Sequence, residues 1–181
     1  RRIADLGKTA TEERKTEPFR TMTPLEEKIG YKFRNSLLLA EALTHPSLGH
    51  ETQQFHFDNQ RLEFLGDAVL QLVITERLFK QHAGKSEGKL TKMRARMVSK
   101  EALFRYAKNI QLGQYLMMGR GEDSNGGRQR PSTLADAFEA LIGAIYLDSD
   151  FPNAHRVVSS WMGDILERLE DLLGGHNPLY A

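Results

Sequence analysis

The stretch Asn59-Gln60-Arg61-Leu62-Glu63-Phe64-Leu65-Gly66-Asp67-Ala68-Val69-Leu70, with its continuation to Gln81, decides the fold. Leu62, Leu65, Val69, Leu72, Val73 and Phe79 recur close to the spacing of one face of an α-helix, and Ala83-Gly84 supplies a stop. The spacing predicts a long helix over residues 59–81. It also sets Glu63 and Asp67, four residues apart, on one face about a turn from each other.

A second segment, Leu134-Ala135-Asp136-Ala137-Phe138-Glu139-Ala140-Leu141-Ile142-Gly143-Ala144-Ile145-Tyr146, is apolar on nearly every side. Asp136 and Glu139 are the only charges between Pro131 and Leu147. A helix of this kind is expected to be buried, where unpaired carboxylates are costly. If the two helices lie side by side, four carboxylates converge, and some must hold protons unless a cation neutralises them. Magnesium suits such a cluster, because it prefers hard oxygen ligands and keeps several waters. A site of that type supports cation-assisted phosphodiester hydrolysis. Acid pairs at these spacings are also ordinary on solvated helices. Asp136 suits the N-terminal turn of its helix, and Arg61 can neutralise Glu63 or a neighbour. Spacing alone leaves both readings open.

The flanking sequence predicts further helices. Thr23, Pro24 and Glu26 form a capping box that opens a helix to about residue 31. Ser36 caps a second, limited by Pro46. Residues 49–58 are polar and aperiodic and read as a loop. A basic helix follows over 88–98, then one capped by Ser99 through 108. Residues 119–130, with four glycines, read as a flexible loop. Ser132 caps the apolar helix to 147, and a last helix runs from about 152 to Gly174-Gly175. With no β alternation, the fold class is all-α, with roughly six to eight helices. Residues 1–21 are dense in charge and read as a mobile tail the domain does not need, so the domain spans 22–174 and 175–181 begin a linker. The first residue is Arg, not Met, which points to a fragment or a processed form.

The 181 residues, 40% hydrophobic and 27% charged, suffice for one buried core. Absence of cysteine excludes disulfides and Cys-ligated metal sites. The longest apolar run, 140–147, is far short of a membrane span, and no leader opens the chain, so the cytoplasm is the expected compartment. Net charge is +1, but Lys85, Lys89, Lys92, Arg94, Arg96, Lys100, Arg105 and Lys108 face only Glu87 and Glu101 between residues 85 and 108. Arg120, Arg128 and Arg130 form a second basic group. Such segregation gives a local field that attracts phosphates, though a solvated helix face has the same composition.

The block Gln60-Arg61-Leu62-Glu63-Phe64-Leu65-Gly66-Asp67-Ala68-Val69-Leu70 closely resembles the signature of the ribonuclease III catalytic domain. Asp136-Ala137-Phe138-Glu139-Ala140-Leu141-Ile142-Gly143-Ala144 is similar to that family's second acidic motif. Thr44-His45-Pro46-Ser47 resembles the motif preceding the signature, and Gly119-Arg120-Gly121-Glu122 with Gly126-Gly127 resembles the loop before the second acidic helix. The resemblance covers about residues 22–173 and is closer to the bacterial enzymes than to the larger Dicer-type proteins.

The resemblance implies an Mg2+-dependent endoribonuclease for double-stranded RNA, with Mn2+ a plausible substitute. It implies 5′-phosphate and 3′-hydroxyl products with short 3′ overhangs, and a homodimer with one active centre per strand. RNA processing, including ribosomal precursors, is the family expectation. Glu63, Asp67, Asp136 and Glu139 match the four family acids; the resemblance implies that together they form the metal site, with Glu63, Asp136 and Glu139 as ligands and hydrolysis depending most on Asp67 and Glu139. Glu87 matches a segment near the RNA-facing valley, and Lys89, Lys92, Arg94 and Arg96 are candidates for phosphate contacts. His45 reads as a packed, hydrogen-bonded residue, not a catalytic base. Gly66 and Gly143 read as sites of close helix approach, and Trp161 and the phenylalanines as core or dimer contacts.

Gln60 departs from the family's usual Glu, keeping size and hydrogen-bonding capacity without the charge. Bacterial members usually carry a double-stranded-RNA-binding domain after a short linker; this sequence ends about where that linker would begin, and a cut there is expected. The alternatives are a non-catalytic module of the same fold, for RNA binding or assembly, and an all-α nucleotide pyrophosphatase. Loss of function on replacing Asp67 or Glu139 separates the first, and a nucleotide-hydrolysis assay the second.

Overall fold

The computed structural model describes the backbone of residues 20–52 and 57–174, and their side chains as far as Gly163. The expected tail, apart from Arg20 and Thr21, and the expected linker lie outside the described residues. Nine α-helices are described: α1 (Pro24–Ile29), α2 (Ser36–Ala42), α3 (Pro46–Thr52), α4 (Gln60–Gln81), α5 (Glu87–Met97), α6 (Lys100–Asn109), α7 (Arg120–Ser124), α8 (Pro131–Asp148) and α9 (Phe151–Gly174). Two short 3-10 turns, Leu112–Tyr115 and Gly127–Gln129, complete them. Among the described residues there is no strand, only an isolated parallel bridge between Thr44 and Met117. No described helix is long and apolar enough to cross a membrane.

The all-α class stands, with more helices than expected because α3 and α7 occupy segments read as loops. Helix α3 buries none of its residues, so no apolar period marks it in the sequence. Helix α7 is held from outside. Both oxygens of Glu51 on α3 accept its first amides, from Arg120 (2.9 Å) and Gly121 (3.0 Å). The Arg128 guanidinium grips both oxygens of Asp123 (2.8 and 3.0 Å) and the carbonyls of Gly113 and Leu116, and Arg130 bonds Glu122. Two of the three arginines in the second basic group are therefore structural.

Helix starts follow their caps. Thr23 and Glu26 close the expected capping box. Glu26 is fully buried and also accepts from the Phe33 amide (2.8 Å) and from Arg20. Burial pushes its carboxyl up, but Arg20 and the amides outweigh that and hold it at about 2. Helix α1 stops at Ile29 because Gly30 adopts a left-handed conformation (φ 68°), two residues before the expected end. Asn35, not Ser36, caps α2, its side chain accepting from the Leu37 amide. Ser132 does not cap α8: Arg130 is the N-cap and Pro131 takes the first turn.

Helix α8 is the central element, with α2, α4, α6 and α9 packed round it. From Thr133 to Ile145 it is buried except at Asp136 and Glu139. Asp148, buried at its C-terminal end, accepts from Tyr31 Oη (2.7 Å) and from the amides of Arg34 (2.7 Å) and Asn35 (2.8 Å). Tyr106 and Trp161 pack with tilted rings against Phe138, and the Trp161 indole donates to the Ile29 carbonyl (2.8 Å).

Helices α4 and α8 meet at Gly66 and Gly143. A Cβ on Gly66 would overlap the Glu139 carbonyl, and one on Gly143 the Leu62 carbonyl. This contact lays Glu63 and Asp67 beside Asp136 and Glu139. The inward face of α4 is built from Leu62, Val69, Leu70, Val73, Ile74 and Leu78. Leu72 and Phe79, expected on that face, point outward at 53% and 73% exposure, and Phe64 is 82% exposed. Helix α4 therefore carries two apolar faces, and a single period through its sequence merges them.

Candidate metal centre

Glu63 and Asp67 rise from α4, and Asp136 and Glu139 from α8. Glu63, Asp136 and Glu139 each offer a carboxylate oxygen, and these three lie within 4.8 Å of one another. All three are partly buried. Asp67 stands a turn further along α4 and outside this trio; it is exposed, and its Oδ1 accepts from Gln71 Nε2 at 3.4 Å. Gln60 is exposed at the start of α4, its backbone amide bonded to Asp58.

The trio bears the expected electrostatic conflict. Burial, then Asp67, Glu63 and Asp136, push Glu139 up to about 8, against the pull of Lys100. Burial and Asp136 raise Glu63, and burial raises Asp136, with Lys100 opposing in both. A divalent cation would relieve this repulsion. Hard oxygen donors fit Mg2+ or Mn2+. The three oxygens are near enough to one another that Glu63, Asp136 and Glu139 could be drawn onto one such cation.

The sign of the pH dependence follows. Folded Glu139 keeps its proton to higher pH than the unfolded group, so the folded state binds more protons between the ordinary value, 4.5, and about 8. Stability of the cation-free protein should fall as pH rises through that window. Melting in EDTA from about pH 6 to about pH 8.5 should show the fall, Glu139→Gln should flatten it, and Mg2+ should reverse it. An identical slope in Glu139→Gln would remove Glu139 as its source.

The Thr44-His45-Pro46-Ser47 motif is scaffolding beside the centre. Ser47 Oγ accepts from the Gly119 amide (2.9 Å) and lies 2.8 Å from His45 Nδ1, which also accepts the Ser47 amide (3.1 Å). Burial lowers the His45 pKa, and the ring is a packed acceptor. The motif thus ties the chain before α4 to the segment before α8.

On α5, which packs on α4, Glu87, Lys89, Lys92 and Arg96 are exposed. Arg94 is not free: its Nη1 donates to Thr75 Oγ1 (3.0 Å). Arg94 and Glu87 line a cavity of about 460 Å³ between α4 and α5, with Thr75, Phe79, Lys85 and Leu90. The sequence did not place Lys100 at the acids, yet its Nζ lies 3.8 Å from Asp136 Oδ1. A lysine opening a helix, against the helix dipole, is the signal that could have found it.

An all-helical domain that focuses carboxylates from its two most intimately packed helices belongs to the class built around an acidic, cation-seeking centre. The Ribonuclease-III-like family model matches residues 35–166. The chain is 49% identical to ribonuclease 3 of Desulforamulus reducens over 144 residues, covering 79% of this chain and 58% of that protein. It is 47% identical to ribonuclease 3 of Caldanaerobacter subterraneus subsp. tengcongensis over 148 residues, 82% of this chain and 65% of that protein. The nuclease domain of ribonuclease III from Campylobacter jejuni, described with a flexible region involved in dimer formation, superposes with a TM-score of 0.75 at 40% identity, over 80% of this chain and 97% of that one. The chain belongs to the ribonuclease III-like family, and spans less than two thirds of the length of these curated relatives.

Proposed function

We propose that this chain is the catalytic domain of an endoribonuclease that hydrolyses double-stranded RNA with Mg2+, leaving 5′-phosphate and 3′-hydroxyl ends with short 3′ overhangs. Its setting is RNA processing in the cytoplasm, as a homodimer. The observation that carries the reading is the convergence of Glu63, Asp136 and Glu139 on facing helices. These three would hold the cation, and when bound it supplies Lewis acidity and charge neutralisation at the scissile phosphate. Glu139 must give up its proton before the centre carries its full charge. Asp67, exposed beside the trio, presents a carboxylate that can orient a water and take its proton. Lys89, Lys92 and Arg96 reach solvent on α5, where they suit the evenly spaced phosphates of an A-form duplex.

Cleavage of a labelled duplex and its single-stranded control, with and without Mg2+ at low salt, tests the proposal. Mg2+-dependent cutting of the duplex alone is expected. Gln60 favours one second reading, a non-catalytic RNA-binding or assembly module, and duplex binding without cutting would establish that instead.

The homodimer is supported by the outward face of α4. Phe64, Ala68, Leu72 and Phe79 form an exposed, largely apolar stripe at helical spacing, next to Glu63 and Asp67. A second copy on this stripe would bring two acidic centres to one surface, one for each strand. Leu72→Glu should give a monomer by light scattering at concentrations where the unaltered chain is a dimer. An unchanged mass would move the interface elsewhere.

A further inference from the structure

Lys100 is the first residue of α6, whose start is fixed by Ser99 Oγ accepting the Ala102 amide (3.2 Å). An ammonium at the positive end of a helix dipole is the unfavoured charge. The one acid in the first turn of α6, Glu101, is engaged by Arg105 one turn on. The packing of α6 against α8 instead carries Lys100 to the acidic centre, with Nζ 3.8 Å from Asp136 Oδ1 and the side chain 63% exposed. Its field acts on Glu63, Asp136 and Glu139 alike.

We propose that Lys100 is a tethered counter-cation of the Glu63–Asp136–Glu139 centre, weakening divalent-cation binding there and so setting the cation concentration at which the centre fills. This rests on reading the trio as a metal centre. Lys100 is a positioning residue: it touches Asp136, and acts on the cation through the charge it adds to the cluster. Held 3.8 Å from Asp136 Oδ1, the ammonium repels a divalent cation arriving at the same carboxylates and competes with it for Asp136. Because the ammonium is largely exposed and, among the described residues, is within ion-pair distance of Asp136 alone, its hold on Asp136 is loose enough to yield to a bound cation.

Calorimetric titration of the full chain with Mg2+, without RNA, at about pH 8.5 and low salt, tests this. Lys100→Met should bind Mg2+ about tenfold more tightly than the unaltered chain, with the gap narrowing in about 1 M KCl. Lys100→Arg, which keeps the charge, should bind as the unaltered chain does. Equal or weaker binding by Lys100→Met overturns the proposal. Glu139→Gln serves as the control for the underlying reading. If the unaltered chain and Glu139→Gln take up Mg2+ alike, the trio is not the metal centre, and the role of Lys100 falls with it. If Glu139→Gln loses binding while Lys100→Met is unchanged, the centre stands and Lys100 alone is wrong.

Discussion

Glu139→Gln and Asp67→Asn should each lower the rate of duplex cleavage by at least about 10³-fold, with the fold intact. The two substitutions keep shape and remove charge, so neither opens a cavity. Glu139 is the acid on which burial and three neighbouring carboxylates act together, and it stands on the central helix. Replacing it with a neutral amide removes its share of the internal repulsion along with the cation site. The metal-free variant should therefore melt no lower than the unaltered chain at about pH 8, even as activity disappears. Asp67 acts differently. It is exposed and outside the trio, so its loss should spare Mg2+ affinity more than Glu139→Gln does, while still removing turnover. Groups that act as one unit are not additive, so the double variant should be scarcely slower than either single one. Single-turnover cleavage, Mg2+ titration and thermal melting of the unaltered chain and the three variants check all of this. A Glu139→Gln enzyme within tenfold of the unaltered chain would take Glu139 out of the chemistry.

Much of this arrangement is written locally. The four-residue gap between Glu63 and Asp67 and the three-residue gap between Asp136 and Glu139 assign each pair to one helix face, whatever the rest of the chain does. The apolar surroundings of Asp136 and Glu139 mark α8 as buried, and it is the central helix. What periodicity reports is a face, not a partner. It therefore gave no sign that Asp67 stands apart from the other three, or that Lys100 reaches Asp136 from α6. Helix α7 lies in a glycine-rich stretch with no helical period, and what holds it is Glu51, some 70 residues away, together with Arg128 on Asp123. On α4 the failure was of another kind. Leu72 and Phe79 lie on a second, outward stripe, and two apolar faces on one helix flatten the contrast on which a sequence reading depends.

Gly66→Ala and Gly143→Ala should have the largest effect on stability, roughly 3 kcal/mol or more each. Most small-to-large changes in a core displace a side chain, which can rotate away. Here the added methyl meets backbone: the Glu139 carbonyl for Gly66 and the Leu62 carbonyl for Gly143. Each Cβ would also lie 3.0 Å from the amide nitrogen of the other glycine, so the two substitutions press on one and the same gap. The helices can relieve this only by moving apart. The separation that accommodates one methyl largely accommodates the second, so the double variant should cost clearly less than the sum of the singles. Because Glu63 lies on one side of the gap and Asp136 and Glu139 on the other, parting the helices also spreads the trio. Folded Gly66→Ala, well below its lowered melting temperature, should therefore bind Mg2+ more weakly and cleave more slowly. A strictly additive double variant in denaturant titrations would show that the helices are not wedged apart at a shared point. Lost stability with unchanged Mg2+ affinity would separate the packing of α4 on α8 from the geometry of the centre they carry.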